Sequence, residues 1–267
     1  MMMIETMLIQ QMPIWMLMKK ILTTMNPSRK KVAVIITAAG NSTRMGGDVK
    51  KEYMSLGNGT VLSACVKAFV DAVKSPLSTF EISHLIITVP EDGSMGAVEA
   101  VSAFFNFDGS MQEKVQYIQG GKTRQLSVFN AMEHLKQSKE KPDIVLVHDG
   151  ARPFVTERLI NEIVMATIQI GAAVPAIPVT DTIKEVGTNG LISKHLSRKS
   201  LVAVQTPQGF NFVNLLYAHI QAITDNYEYT DDSEIYGRYC GKVQVVPGDV
   251  KNIKITYPGD LERAKSL

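Results

Sequence analysis

The residues best suited to chemistry lie in short runs between apolar segments. The first run is Ala38 to Tyr53, A-A-G-N-S-T-R-M-G-G-D-V-K-K-E-Y. Small side chains and Gly40 let the backbone approach a ligand closely. Consecutive N–H groups in such a loop can cradle phosphates, and Arg44 and Lys51 add two positive charges. The second run is Val147 to Phe154, V-H-D-G-A-R-P-F. Asp149 is suited to meet a ribose or a magnesium ion, and Arg152 a phosphate. A structural Asp–Arg pair or a helix cap is the plainer alternative. His148, beside Asp149, reads as a structural histidine rather than a catalytic one. Two further cations stand out: Arg198, and Lys254 after a strand in N-I-K-I-T. Arg44, Lys51, Arg198 and Lys254 together suit a reaction that handles several phosphates.

The familiar motifs for other chemistries are missing. A dinucleotide fingerprint requires a second glycine two residues after Gly40, where Ser42 stands. A Walker loop ending in Gly121-Lys122-Thr123 requires glycine at 116, where Gln116 stands. No G-x-S-x-G or H-E-x-x-H occurs, which removes support from serine-hydrolase and zinc-protease readings.

The elements that must position these runs alternate. Val32 to Thr37, Leu85 to Val89, Val115 to Ile118, Ile144 to Val147, Ala172 to Ile177 and Val243 to Val246 read as strands. Val61 to Val73, Met95 to Phe105, Arg124 to Leu135, a segment from Thr156, Phe212 to Ile223, Asp231 to Tyr239 and a segment from Pro258 read as helices. Such alternation predicts an α/β fold with a mostly parallel sheet flanked by helices, and ligands in such sheets bind beyond the carboxyl ends of the strands. Thr182 to Thr206 breaks the pattern and reads as a hairpin arm turning at Gly187-Thr188-Asn189-Gly190.

Composition narrows the class. Of 267 residues, 45% are apolar, enough for a sizeable core, and a net charge of +2 does not suit a nucleic-acid binder. Cys65 and Cys240 alone cannot build a disulfide framework, which suits a reducing, cytoplasmic setting. No apolar run approaches the ~18–20 residues of a membrane span. Residues 1–31 look foreign to the rest. They hold most of the 14 methionines, and Lys19, Lys20, Arg29, Lys30 and Lys31 against Glu5. They read as an N-terminal extension, disordered or an over-extended start with Met25 the natural initiator, with an amphipathic or organelle-targeting extension as the alternative, ahead of a single domain at 32–267.

The runs, taken with G-G-K-T-R-Q-L-S-V, V-T-D-T-I-K, Q-T-P-Q-G-F, T-D-D-S and N-I-K-I-T-Y-P-G-D-L in this order and spacing, resemble the 2-C-methyl-D-erythritol 4-phosphate cytidylyltransferase family of the non-mevalonate isoprenoid pathway. The resemblance spans about Val32 to Leu267. It implies a Rossmann-like nucleotidyltransferase with a protruding β-arm, a homodimer joined through that arm, and a reaction using CTP and Mg²⁺. It implies that Arg44 and Lys51 stabilise the transition state, and that Arg198 and Lys254 position methylerythritol phosphate. Ala38, Ala39, Gly40, Gly121 and Ser127 match positions near the cytosine, and Asp149 one near ribose and metal. Arg152, Thr182 and Thr206 match positions near the second substrate. The chain departs from the family pattern at Ser42 (commonly glycine), Lys50 (often proline), Glu52 (often glutamine) and Gly150 (commonly alanine). A ribitol 5-phosphate cytidylyltransferase and a catalytically silent nucleotide-binding protein are the alternatives.

Overall fold

The computed structural model describes residues 29–40, 42–46, 49–75, 78–102, 111, 113–225 and 227–267. The expected extension up to residue 28, the distal end of the Met95–Phe105 helix and Asn41 of the first loop lie outside these residues.

Strand β1 (Lys30–Thr37) runs through the middle of an eight-stranded sheet, beginning two residues before the expected Val32. Its central residues Val32 to Ile36 are fully buried, as an apolar, mostly β-branched run covered on both faces requires. On one side β1 pairs in parallel with β4 (Phe80–Val89), which pairs with β5 (Val115–Gln119). On the other side it pairs in parallel with β6 (Ile144–Asp149). Two-residue strands β2 (Ser55–Leu56) and β3 (Gly59–Thr60) form a separate small hairpin.

Alternate side chains of β1 feed two cores. Val32, Val34 and Ile36 pack with helices α1 (Val61–Lys74), α2 (Met95–Ser102) and α4 (Glu157–Ile170). Ala33 and Ile35 pack with α3 (Arg124–Gln137), α5 (Phe212–Thr224) and α6 (Asp232–Tyr239). The helix starts are set by capping side chains: Thr60, Thr123, Thr156 and Asp231 each accept from the backbone N–H three residues on. Among the described residues no helix is long and apolar enough to cross a membrane.

The sheet is mostly parallel, as expected, with an unexpected insertion. β11 (Gln208–Asn211) runs antiparallel between β6 and β7 (Ala172–Pro178). The Q-T-P-Q-G-F segment lacks strand periodicity. What admits it is the slot: a Cβ on Gly209 would lie 2.3 Å from Thr167 Oγ1 and 2.7 Å from Ile163, so only glycine lets α4 pack over it. β12 (Gln244–Pro247) pairs in parallel with the other edge of β7.

The arm exists as a hairpin, β8 (Lys184–Val186) against β9 (Ile192–His195). Its turn closes through Gly187 N–H to the Leu191 carbonyl, with Gly190 at φ 77°. The return strand β10 (Val202–Val204) rejoins the sheet on β7, so the free-standing part is shorter than 182–206. The last helix, α7 (Pro258–Lys265), starts at the expected proline.

Candidate active site

Strand register brings the chemistry together. Thr37 lies beside both Thr88 and Asp149, and Val89 lies beside Gln119. The carboxyl ends of four parallel strands are therefore level. The loops leaving them enclose an open cleft of about 650 Å³.

Five of the residues expected at the nucleotide line this cleft: Ala39, Gly40, Gly121, Ser127 and Asp149. The loop after β5 presses against the one after β1. A Cβ on Gly120 would stand 2.4 Å from that of Ala39, and one on Gly121 2.4 Å from that of Leu126. Ser127 Oγ accepts the Gly121 N–H at 3.0 Å and fixes the turn. Ala38 lies one step deeper. It is buried, and its N–H is engaged by the Thr88 carbonyl at 3.1 Å, so it supports the loop without lining the cleft.

Arg44, Lys51 and Lys254 reach the same cleft, and Lys122 and Arg124 add to its positive wall. Arg44 lies 6.0 Å over the Tyr257 ring. Lys51 is half-buried beside Glu52, Nζ to Oε1 4.0 Å. Burial lowers its pKa, and Glu52 opposes that shift. Ser42 takes the left-handed conformation, φ 50°, that a glycine would adopt freely. Its hydroxyl donates to Glu52 Oε2 at 3.1 Å and accepts the Lys51 N–H at 3.4 Å. Two departures from the family pattern, Ser42 and Glu52, are thus partners across the loop. Lys254 lies in an irregular segment, not directly after a strand as expected, held by Ile255 N–H on the Ala151 carbonyl.

Asp149 forms the floor. Lys254 Nζ is 2.8 Å from Oδ2, Arg152 Nε 3.5 Å from Oδ2, and Arg124 Nε 3.4 Å from Oδ1. Burial alone would raise this carboxyl, but Lys254, Arg124 and Arg152 hold it far below the usual carboxylate range. Asp149 is an anion at neutral pH. Arg152 and Thr206 act from behind it. Arg152 donates to the Asn252 carbonyl at 2.8 Å, and Thr206 is buried, its hydroxyl accepting the Asp149 N–H at 3.1 Å. His148 is structural, as expected. One ring nitrogen meets the Arg152 carbonyl and the other the Thr206 hydroxyl, each at 3.0 Å. Burial lowers its pKa to about 4, so it is neutral.

Arg198 and Thr182 are not brought to this cleft. Both are exposed on the arm, where Arg198 donates to the Thr180 carbonyl at 2.6 Å. Arg124 is the residue that motif reading passed over. Its place in G-G-K-T-R was visible, but not that it rather than a neighbour would bridge to Asp149.

Among the described residues no histidine or cysteine lines the cleft. The cleft is lined by Arg44, Lys51, Lys122, Arg124 and Lys254, which suits phosphoryl or nucleotidyl transfer, a chemistry of positioning and charge neutralisation. A mostly parallel sheet with that cleft beyond its strand ends fits a nucleotidyltransferase. The family model for IspD, 2-C-methyl-D-erythritol 4-phosphate cytidylyltransferase, matches residues 32–267, and the chain belongs to that family. It is 35% identical over 238 residues to the cytidylyltransferase of that name from Clostridium novyi, covering 89% of this chain and 96% of that protein. It is 37% identical over 244 residues to the one from Pelotomaculum thermopropionicum, covering 89% and 94%. The fold is similar to the crystal structure of 4-diphosphocytidyl-2C-methyl-D-erythritol synthase from Anaerococcus prevotii, with a TM-score of 0.72, 27% identity, and 89% and 95% of the two chains covered. It is also similar to the Thermus thermophilus cytidylyltransferase, with a TM-score of 0.67, 29% identity, and 88% and 98% covered.

Proposed function

We propose that the cleft transfers CMP from CTP to 2-C-methyl-D-erythritol 4-phosphate, releasing pyrophosphate. An oxygen of the methylerythritol phosphate attacks the α-phosphorus of CTP. The bond to the α–β bridging oxygen breaks, and 4-diphosphocytidyl-2-C-methyl-D-erythritol forms. The attacking group is already an anion, so no general base is required. The two anions repel each other, so the protein must supply charge and alignment. The observation that carries this reading is the convergence of Arg44, Lys51 and Lys254 on one cleft floored by an ionised carboxylate.

In this scheme the loops carrying Ala39, Gly40, Gly121 and Ser127 receive the nucleoside, with Ala38 beneath them. Arg44 and Lys51 offset the charge that develops at the α-phosphate. Lys254 meets the second substrate's phosphate, and Arg152 and Thr206 hold Asp149 in place. Among the described residues no group of three metal-ligating side chains occurs. A single ionised carboxylate suits Mg²⁺, which is bound by one or two carboxylates together with substrate phosphates. Asp149 would hold the ion, which supplies further charge neutralisation on the triphosphate. Val186, Leu191, Ile192, Val202 and Val204 leave apolar surface exposed on and beside the arm, which supports a homodimer joined there. Arg198 and Thr182 then serve the partner's second-substrate site.

The test is pyrophosphate release from the purified chain, with CTP, UTP, ATP and GTP against methylerythritol phosphate, ribitol 5-phosphate and no acceptor. Release confined to CTP with methylerythritol phosphate is expected. Release with ribitol phosphate instead would move the protein to the other cytidylyltransferase, and CTP binding without release would favour a silent nucleotide-binding protein.

A further inference from the structure

The T-D-D-S segment has no part in the chemistry above, yet the fold buries its second aspartate. Asp232 has no solvent exposure, a costly place for an unpartnered carboxylate. It has two partners. Arg124 Nη1 donates to Oδ2 at 2.7 Å, and His219 Nε2 to Oδ1 at 3.0 Å. The same guanidinium reaches the cleft, where Nε donates to Asp149 Oδ1 at 3.4 Å. Burial opposes charge on both Arg124 and Asp232. Their attraction outweighs it, holding Asp232 at about 2 and Arg124 above its ordinary value.

Three helices and a strand converge around the Arg124–Asp232 contact. Arg124 is the first residue of α3, held in place by the Thr123 cap. Asp232 opens α6, whose Asp231 cap is tied to β11 by Gln208 Nε2 at 2.7 Å. His219 comes from α5 and stacks on Phe129 of α3, ring centroids 6.4 Å apart. A lysine would be a poor replacement, because the planar fork presents Nε and Nη1 to two carboxylates in one fixed geometry.

We propose that Arg124 is a positioning residue for the nucleotide end of the reaction, and that Asp232 acts through it by holding the guanidinium against Asp149. Lys254 and Arg152 meet Asp149 at Oδ2, whereas Arg124 is the side-chain partner of Oδ1 among the described residues. It therefore fixes the plane of the carboxylate at the cleft floor. This inference rests on the assignment of the cleft to CTP made above.

A double-mutant cycle tests it. Arg124→Gln, Asp232→Asn and the double variant are each read for kcat, for kcat/KM with respect to CTP, for the Kd of CTP by calorimetry, and for Tm. Residues acting through one contact give non-additive losses. Asp232→Asn should lower kcat/KM for CTP about tenfold in the native background and cause no further loss beside Arg124→Gln. The double variant removes one cation and one anion together, so it leaves no stranded charge if Asp232→Asn alone fails to fold. Additive losses, an Arg124→Gln variant with native kcat/KM, or an Asp232→Asn effect confined to Tm would each overturn the proposal. A wild-type chain that releases no pyrophosphate would instead sink the assigned reaction, and the cycle on CTP affinity would still decide the role of Arg124.

Discussion

Lowering the pH from 7.5 to 5 should weaken the fold through His148. This imidazole is fully buried, with Phe69 edge-on at 5.1 Å and both ring nitrogens engaged. Nε2 must carry the proton it donates to the Arg152 carbonyl. Nδ1 then accepts from the Thr206 hydroxyl, which in turn accepts the Asp149 N–H. A second ring proton would break that chain at the active-site strand end. Burial lowers the folded pKa from 6.5 to about 4, so between those values the unfolded chain binds the extra proton. Stability is complete above pH 6.5 and declines as pH falls toward 4. The shift corresponds to roughly 2 kcal/mol lost at pH 5, and roughly 3 kcal/mol once both forms are protonated. In a fold of this size, 2 kcal/mol is about 4–8 °C in Tm. Burial lowers His84 in the same direction, so the wild-type curve alone is ambiguous. His148→Gln keeps one donor and one acceptor but cannot titrate. Urea unfolding at pH 7.5 and pH 5 should therefore show a pH dependence smaller by about 2 kcal/mol in the variant. Parallel curves for the two proteins would refute the reasoning.

Arg44→Ala and Lys51→Ala should each fold normally and lower turnover by about 10²–10³, as loss of one placed charge-stabilising group does; near-native turnover in either would remove it from the catalytic centre. Glu52→Gln removes the carboxylate that opposes the burial-driven fall of the Lys51 pKa, so the alkaline limb of the rate profile should move to lower pH. An unmoved limb would show that Lys51 does not limit activity there. Gly209→Ala should cost about 1–3 kcal/mol by driving a Cβ into Thr167 and Ile163, with CTP affinity retained in the folded fraction; unchanged stability in urea unfolding would contradict the packing argument. Leu191→Asp together with Ile192→Asp should shift the chain from dimer to monomer in ultracentrifugation. It should also weaken methylerythritol phosphate use more than CTP binding, and an unchanged sedimentation coefficient would place the interface elsewhere.

The alternation of elements and the loops that carry chemistry are legible along the chain, and the ordered motifs carry the family resemblance. The first two depend on interactions between near neighbours in the chain. A β-branched run such as Val32 to Ile36 has to be a doubly covered strand, and Thr60, Thr123 and Thr156 cap whatever helix follows them. The small-residue loops show their close approach in their composition, and Arg44 and Lys51 sit on the same loop as Gly40. The rest follows from contacts between segments far apart in the chain. β11 is a strand because a gap between β6 and β7 accepts its backbone and Gly209 leaves room for α4. Asp149 is an anion because Lys254 and Arg124, distant in the chain, meet it in space. His219 and Arg124 come from separate helices and become one unit through Asp232. Coulombic and packing energies depend on distance through space, and only the folded chain sets those distances.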